Sequence, residues 1–215
     1  MLLLSRNKLK ACLYAAAKGD LRQYLNGVHI ELAAEGDLHY VATDGRRLFA
    51  GRVPGDKVAC VPKMNGLSLI IPRDTVEKAV KGRSPVDVIE LSALPDGRYT
   101  LGEHVFCGLP GKFPDWRRIL PQTAGKEEAV AQFNHEYVSD GQKALALWRG
   151  RKNDPAYLRM YGEDTAYMAC SDAVYLVMPL TKRGYEPVAS VPTFAPVYTT
   201  PAPEVTDPTW AQAVV

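Results

Sequence analysis

Apolar and polar positions along the chain alternate between a short period and a helical one. Leu2-Leu3-Leu4 form an apolar run that ends at Ser5, a residue type that caps helices. Leu9, Cys12, Leu13 and Ala16 then recur at helical spacing until Gly19, so the pattern predicts a strand followed by an amphipathic helix. Strand-like runs come next at residues 28–32, 38–42 and 47–53, the last two joined by an Asp44-Gly45 turn pair. The plan then repeats. Residues 67–71 are rich in β-formers and stop at Pro72, which suits a first helical turn. Val76, Ala79 and Val80 mark one helix face, and strands are predicted at 86–91, 98–101 and 105–109, with Pro95-Asp96-Gly97 as a turn. A third round starts where Asn134 caps a helix whose apolar side holds Tyr137, Val138, Leu145 and Trp148. Strands at 157–161, 166–170 and 174–178 follow, turned by Gly162-Glu163-Asp164.

A helix followed by strands, three times at similar spacing, predicts the α+β class: about three stacked copies of one unit, each a helix packed on antiparallel strands. Beyond Leu180 the pattern is lost. Residues 183–215 hold six prolines (Pro187, Pro192, Pro196, Pro201, Pro203 and Pro208) with many Thr and Ala, the composition of a flexible tail.

Composition narrows the function classes. With 215 residues, 47% hydrophobic and 23% charged, the chain has the make-up of a globular protein with a sizeable core. Three leucines are too few for a secretory apolar region and no run reaches membrane-spanning length, so a cytoplasmic protein without membrane contact is expected. Cys12, Cys60, Cys107 and Cys170 are scattered, as are His29, His39, His104 and His135. Buried free thiols are expected, and no metal site or cofactor. The net charge is only +2. The segment from Ser5 to Gly19 nevertheless carries Arg6, Lys8, Lys10 and Lys18 without an acid, which predicts a positive strip along a helix.

Catalytic signatures are absent from the sequence. It has no GxSxG, HExxH, GxxxxGK[ST] or GxGxxG. Gly108-Leu109-Pro110-Gly111-Lys112 imitates part of a phosphate loop, but Phe106 and Phe113 stand where its glycine and hydroxyl residues belong. No nucleophile is set beside a base, and a non-enzymatic protein is expected.

Four stretches carry a resemblance. "RQYLNGVHIEL…LHYVATDGRRLF", residues 22–49, is similar to the middle domain of the bacterial DNA polymerase III beta subunit, the sliding clamp family, which carries an arginine-aromatic-Leu-Asn-Gly segment and a V-A-T-D-G-H-R-L hairpin. "GKFPDWRRILP", residues 111–121, resembles the family's F-P-D-Y-R-R-V-L-P junction. "FNHEYVSDGQKAL", residues 133–145, resembles its final helix, and "YLVMPL", residues 175–180, its closing Y-V-V-M-P-M. All four occur in family order. The resemblance implies a DNA-clamp-like chain, shortened by the first domain and half of the last. Residues 1–112 would be a middle domain of two units, 113–129 a connector, 130–182 half of a last domain, and 183–215 a tail unlike the family. That tail leaves from the cleft and is expected to shield it or to recruit a partner through Trp210.

In the family, the cleft between middle and last domains takes short peptides from polymerases and repair proteins. Position by position, the resemblance places Leu25, Thr43, Gly45, Arg46, Arg47, Leu48, Pro114, Arg118, Ile119, Leu176, Val177, Met178, Pro179 and Leu180 around such a peptide-binding cleft. Leu25, Leu48, Ile119, Val177, Met178 and Leu180 would form its apolar pocket, and Arg46 and Arg47 would offer donors to the peptide. The family's helices face duplex DNA through sequence-independent phosphate contacts. Arg6, Lys10, Lys18, Arg22 and Tyr24 are the corresponding DNA-binding candidates. Implied partners are a DNA polymerase, other proteins with clamp-binding motifs, double-stranded DNA, a clamp loader and further copies of the chain.

The family ring counts twelve helix-plus-strand units, so chains of three units would need four copies. On its own the third unit would expose Tyr137, Val138, Leu145 and Trp148, and is expected to take a partner from another chain. The expected function is that of a processivity factor of DNA replication that binds clamp-binding peptides and encircles duplex DNA as an oligomer. The competing reading is a non-ring peptide-binding decoy or regulator of a host sliding clamp's partners.

Overall fold

Ser5 ends the first strand and starts the first helix with one side chain: its hydroxyl accepts from the Lys8 amide, as expected of an N-cap. The computed structural model describes residues 1–33, 35–59, 66–82, 84–120, 133–152, 156–161 and 165–180. Eleven strands and three α-helices are found among them, alternating in the predicted order. The first unit is β1 (Leu2–Ser5), α1 (Arg6–Leu13), β2 (Gly27–Leu32), β3 (Leu38–Thr43) and β4 (Arg47–Val53). The second is β5 (Ser68–Pro72), α2 (Arg73–Ala79), β6 (Val88–Ala93), β7 (Tyr99–Leu101) and β8 (His104–Phe106). The third is α3 (His135–Trp148), β9 (Arg159–Tyr161), β10 (Thr165–Ala169) and β11 (Ala173–Val177).

The strands form two antiparallel sheets, one of four in the order β1-β6-β7-β8 and one of seven in the order β5-β2-β3-β4-β11-β10-β9. The first two units exchange their opening strands: β1 pairs with β6, and β5 pairs with β2. The third unit joins the first directly, with β11 antiparallel to β4 from Ala173–Gly51 to Val177–Arg47. This junction corrects the expectation that the third unit needs another chain to cover its helix. Leu145 and Trp148 are buried and Tyr137 and Val138 half-buried, all packed on the main core. Trp148 lies 5.5 Å from both Tyr40 and Phe49, and a Cβ on Gly51 would sit 2.4 Å from its ring. Only glycine allows α3 this close to β4.

Helix α1 is shorter than the run to Gly19 predicted. It ends at Leu13, where the Arg73 guanidinium takes the exposed carbonyls of Leu13 at 2.9 Å and Ala16 at 2.6 Å and satisfies the helix end from α2. The positive strip also needs correction. Lys8 is half-buried, with its ammonium 3.8 Å over the Trp148 ring and 3.4 Å from the Trp148 carbonyl. It packs α1 against the end of α3 and is unavailable to a partner.

The thiols are free, with Cys12 buried and Cys170 half-buried, but Cys107 follows edge strand β8 and is exposed, contrary to expectation. Cys60 lies outside the described residues, as do the 162–164 turn, the connector from 121 to 129 and the tail with Trp210. Among the described residues no cluster of His, Cys, Asp or Glu is arranged for a metal ion, and no helix is long and apolar enough to cross a membrane.

Candidate functional site

Strand alternation gives the seven-stranded sheet two apolar faces. Tyr40, Phe49, Tyr175 and Val177 point into the helix-covered core. Val41, Leu48, Ala50, Ile70 and Leu176 form a second cluster on the opposite face, covered by Phe113 and Trp116. The covering segment runs from Leu109, whose amide bonds to the Ile70 carbonyl, to the 3-10 turn Trp116–Ile119.

Side chains fasten that segment to the sheet. The His29 ring stacks on Phe113 with centroids 4.6 Å apart, and His39 lies 5.6 Å from Trp116. Arg117 forms a two-pronged bond to Glu31 at 2.8 and 3.1 Å. Burial lowers the His29 pKa to about 4, so this ring is neutral at pH 7. Burial works against the Glu31 charge as well, but Arg117 holds that carboxylate below its usual pKa.

Where the fastened segment stops, the outer face is left open as a groove of about 320 Å³. Its floor is the β4–β11 junction, where Leu48 and Leu176 are opposite one another in register. Leu25, Thr43, Gly45, Arg46, Arg47, Pro114, Ile119 and Met178 complete the expected part of its lining. Ile119 and Met178 are each 45% exposed, which leaves large apolar side chains at the rim without a cover.

The rim hairpin is held by its own polar groups. Asp44 Oδ1 accepts the amides of Arg46 and Arg47, and Thr43 Oγ1 accepts the Gly45 amide while donating to the Arg47 carbonyl. Gly45 has a φ of 88°, the left-handed conformation this turn requires. The two arginines then part. Arg47 bonds Asp44 at 2.9 Å and Asp140 of α3 at 2.7 Å, and its guanidinium lies 4.3 Å from the Tyr137 ring. Its charge ties the hairpin to the third unit while its side chain still lines the groove. Arg46 is exposed and has no ion-pair partner among the described residues; its carbonyl accepts the Met178 amide at 2.9 Å.

Four expected cleft residues are not in the lining. Val177 is fully buried on the helix side, because alternation sends it away from Leu176. Arg118 is exposed on the 3-10 turn, where Ile119 faces the groove instead. Pro179 and Leu180 lie past the end of β11, outside the lining.

The lining adds Arg22, Tyr24, Asp115, Trp116 and Thr165. Arg22 and Tyr24, DNA candidates by resemblance, also line the groove. The Arg22 guanidinium pairs with Asp20 at 2.9 Å, which holds the Asp20 pKa down at about 2. Of the other DNA candidates, Arg6 and Lys10 stand one turn apart on α1 and share a side of it, and Lys18 is exposed in the following turn. Lys18 and Arg22 border a second cavity of about 760 Å³, with Arg46, Arg47, Arg73, Asp20, Asp44 and Asp140 also on its wall.

No family model matches the chain. The beta sliding clamp of Escherichia coli K12 is 32% identical over 134 residues, 55% of this chain and 32% of the relative. That of Vibrio cholerae is 30% identical over 151 residues, 64% of this chain and 39% of the relative. The chain thus spans about a third of the length of these relatives. Solved structures agree in fold: the Bacillus subtilis DNA polymerase sliding clamp has a TM-score of 0.64 at 14% identity, covering 83% of this chain and 63% of that one. For the DNA polymerase III beta subunit of Pseudomonas aeruginosa the TM-score is 0.62 at 19% identity, covering 83% and 65%. The chain has the fold of the bacterial sliding clamps and is related to them in sequence over about half of its own length.

Proposed function

We propose that the chain is a non-enzymatic, cytoplasmic processivity factor of DNA replication, whose outer-face groove takes short apolar peptides from polymerases and repair proteins. The observation that carries this reading is the open groove over the β4–β11 junction, with Leu48, Leu176, Ile119 and Met178 on its walls. Burying one Leu or Phe of a partner is worth about 1.5–3 kcal/mol. A peptide with two such anchors therefore binds with moderate strength and can be exchanged. Arg46, which has no ion-pair partner among the described residues, offers its guanidinium at the rim to carboxylates or carbonyls of that peptide. Met178, flexible and polarisable, adapts to different anchors. On this reading duplex DNA is held by enclosure within an oligomer and by phosphate-level contacts from Arg6 and Lys10 of α1, with no base readout.

The test uses a fluorescent synthetic peptide with adjacent Leu and Phe anchors. Met178→Asp, at an exposed rim position, is expected to weaken binding at least about tenfold with an unchanged unfolding midpoint. Equal affinity for both proteins removes the groove from the proposal. Retention on nicked circular DNA, and loss once the DNA is linearised, is the expected sign of enclosure.

A further inference from the structure

Three buried side-chain nitrogens without a hydrogen-bond partner meet at the clasp that holds the covering segment to the outer face: His29 Nδ1, His39 Nδ1 and Trp116 Nε1. His29 of β2 is buried, stacks on Phe113 and meets Ser68 Oγ of β5 through Nε2 at 2.9 Å. A neutral imidazole needs no more than that one bond. The imidazolium carries two N–H groups, and among the described residues the closed clasp offers a partner to one of them.

The nearest carboxylate is already engaged. Glu31 lies two residues on from His29, on the same face of β2, and opposite His39 of β3 in register. Both of its oxygens accept from Arg117 of the covering segment, whose guanidinium also lies 4.3 Å from the centre of the Trp116 ring. Facing the two rings are thus Glu31 and Arg117, which neutralise each other, with Asp37 and Arg52 as a second opposed pair beside His39. A proton on either histidine adds a charge that no unengaged carboxylate among the described residues balances.

Release of the segment answers that charge. The clasp is one ring stack, one ring contact and one half-exposed ion pair, a local structure of the kind that opens at small cost. Lifting residues 113–117 gives both rings water. Tyr40, Phe49, Trp148 and Tyr175 keep the inner core, which holds no histidine among the described residues. The same movement dismantles a wall of the groove, because Pro114, Asp115 and Trp116 line it.

We propose that the clasp is an acid-operated latch on the groove: protons on His29 and His39 free residues 113–117 from the sheet, remove that wall and discharge a bound peptide while the inner core stays folded. The discharged peptide rests on the function proposed above, whereas the latch movement stands without it. Burial lowers the pKa of both histidines, to about 4 for His29, and Arg117 adds to the effect on each. In the open segment His29 returns towards 6.5, so the open form binds the proton more tightly than the closed one. The closed form is favoured above pH 6.5. For His29 alone the balance moves about a hundredfold towards the open form between pH 7 and 4.

The experiment titrates the full chain across that window with an acetylated, amidated peptide that has adjacent Leu and Phe anchors and no ionisable group. The Trp116 indole N–H resonance, assigned by its loss in Trp116→Phe, reads the latch without peptide, and far-UV circular dichroism reads the core. Between pH 7 and 4 the Trp116 indole is expected to come into exchange with water and peptide affinity to fall at least about tenfold, with the dichroism unchanged. The double variant His29→Leu, His39→Leu is expected to keep at pH 4 the affinity and the protected indole that it has at pH 7. If that variant does not fold, glutamine at both positions takes its place. A wild-type indole that stays protected down to pH 4 overturns the proposal. So does opening that the double variant leaves unaltered, or loss of the dichroism together with the indole protection. Should no peptide bind even at pH 7, the groove function fails, and the Trp116 resonance still decides the latch.

Discussion

The two faces of the seven-stranded sheet are built from alternate residues of the same strands, yet they end in different states. On the inner face Tyr40, Phe49, Tyr175 and Val177 meet helices, and the ring of Trp148 fills the space above Gly51. On the outer face Val41, Leu48 and Leu176 meet an irregular segment held by Phe113, Trp116 and the Arg117–Glu31 bond. A helix lays a continuous stripe of side chains on a sheet. A segment fastened at a few points covers only what those points reach. The apolar surface left over is the open groove, so the groove is a consequence of incomplete cover. Leu176 and Val177 are neighbours in sequence, one at the groove and one in the core, with nothing but strand alternation to separate their roles.

The largest test of that contrast is on the inner face. Trp148→Ala removes a ring that is 4% exposed and leaves a cavity over Gly51 that the rigid sheet cannot fill. The expected cost is about 3–5 kcal/mol, read from the urea midpoint. Trp116→Ala on the outer face is expected to cost less, since its cover is irregular and can settle, and to lower peptide affinity as the groove wall shifts. Equal costs, with binding unaffected, would break the contrast.

Acid probes the clasp of the outer face. His29 has a folded pKa of about 4 because burial disfavours its charged form, with Glu31 opposing and Arg117 and His39 reinforcing that effect. In the unfolded chain it titrates near its ordinary value of 6.5. The folded state therefore binds the proton more weakly. Its contribution is full above pH 6.5 and is lost as pH falls towards 4, amounting to about 3 kcal/mol between pH 7 and 4. Urea unfolding across that window should be steeper for the wild type than for His29→Gln, and parallel curves for the two would sink this account of the clasp.

Much of the fold was legible locally. Ser5 and Asn134 both cap where the side-chain pattern changes period, and the Asp44-Gly45 pair turns where expected. These features depend on residues a few positions apart. The β4–β11 pairing joins segments more than a hundred residues apart, and no local pattern encodes it. For that reason the cover on α3 was missed, and Lys8 was read as surface although it sits on Trp148. The groove was found through resemblance rather than through spacing. Its error at Val177 was avoidable, because alternation forbids Leu176 and Val177 from sharing a face. That Arg22 and Tyr24 also line the groove was not foreseeable, since the path of the 22–25 segment is fixed by contacts with the sheet and hairpin.

The smallest expected effects separate the two adjacent arginines. Arg47 lies between Asp44, Asp140 and the Tyr137 ring, with its side chain only 15% exposed. Arg47→Ala takes the cation from between Asp44 and Asp140, leaves Asp140 only its longer 3.6 Å pair with Lys143, and loosens the hairpin from α3, an expected loss of about 2 kcal/mol in unfolding free energy. Arg46→Ala removes no ion pair among the described residues and is expected to change stability by less than about 0.5 kcal/mol. Its effect should appear instead as weaker binding of an acidic peptide, relieved by salt. Lysine at each position sharpens the distinction. Arg46→Lys keeps the charge at an open rim and should retain most of the affinity, whereas Arg47→Lys cannot bond Asp44 and Asp140 through separate nitrogens of one planar fork and should recover little stability. Should Arg46→Ala prove the more destabilising of the two, the division of labour at this hairpin would be reversed.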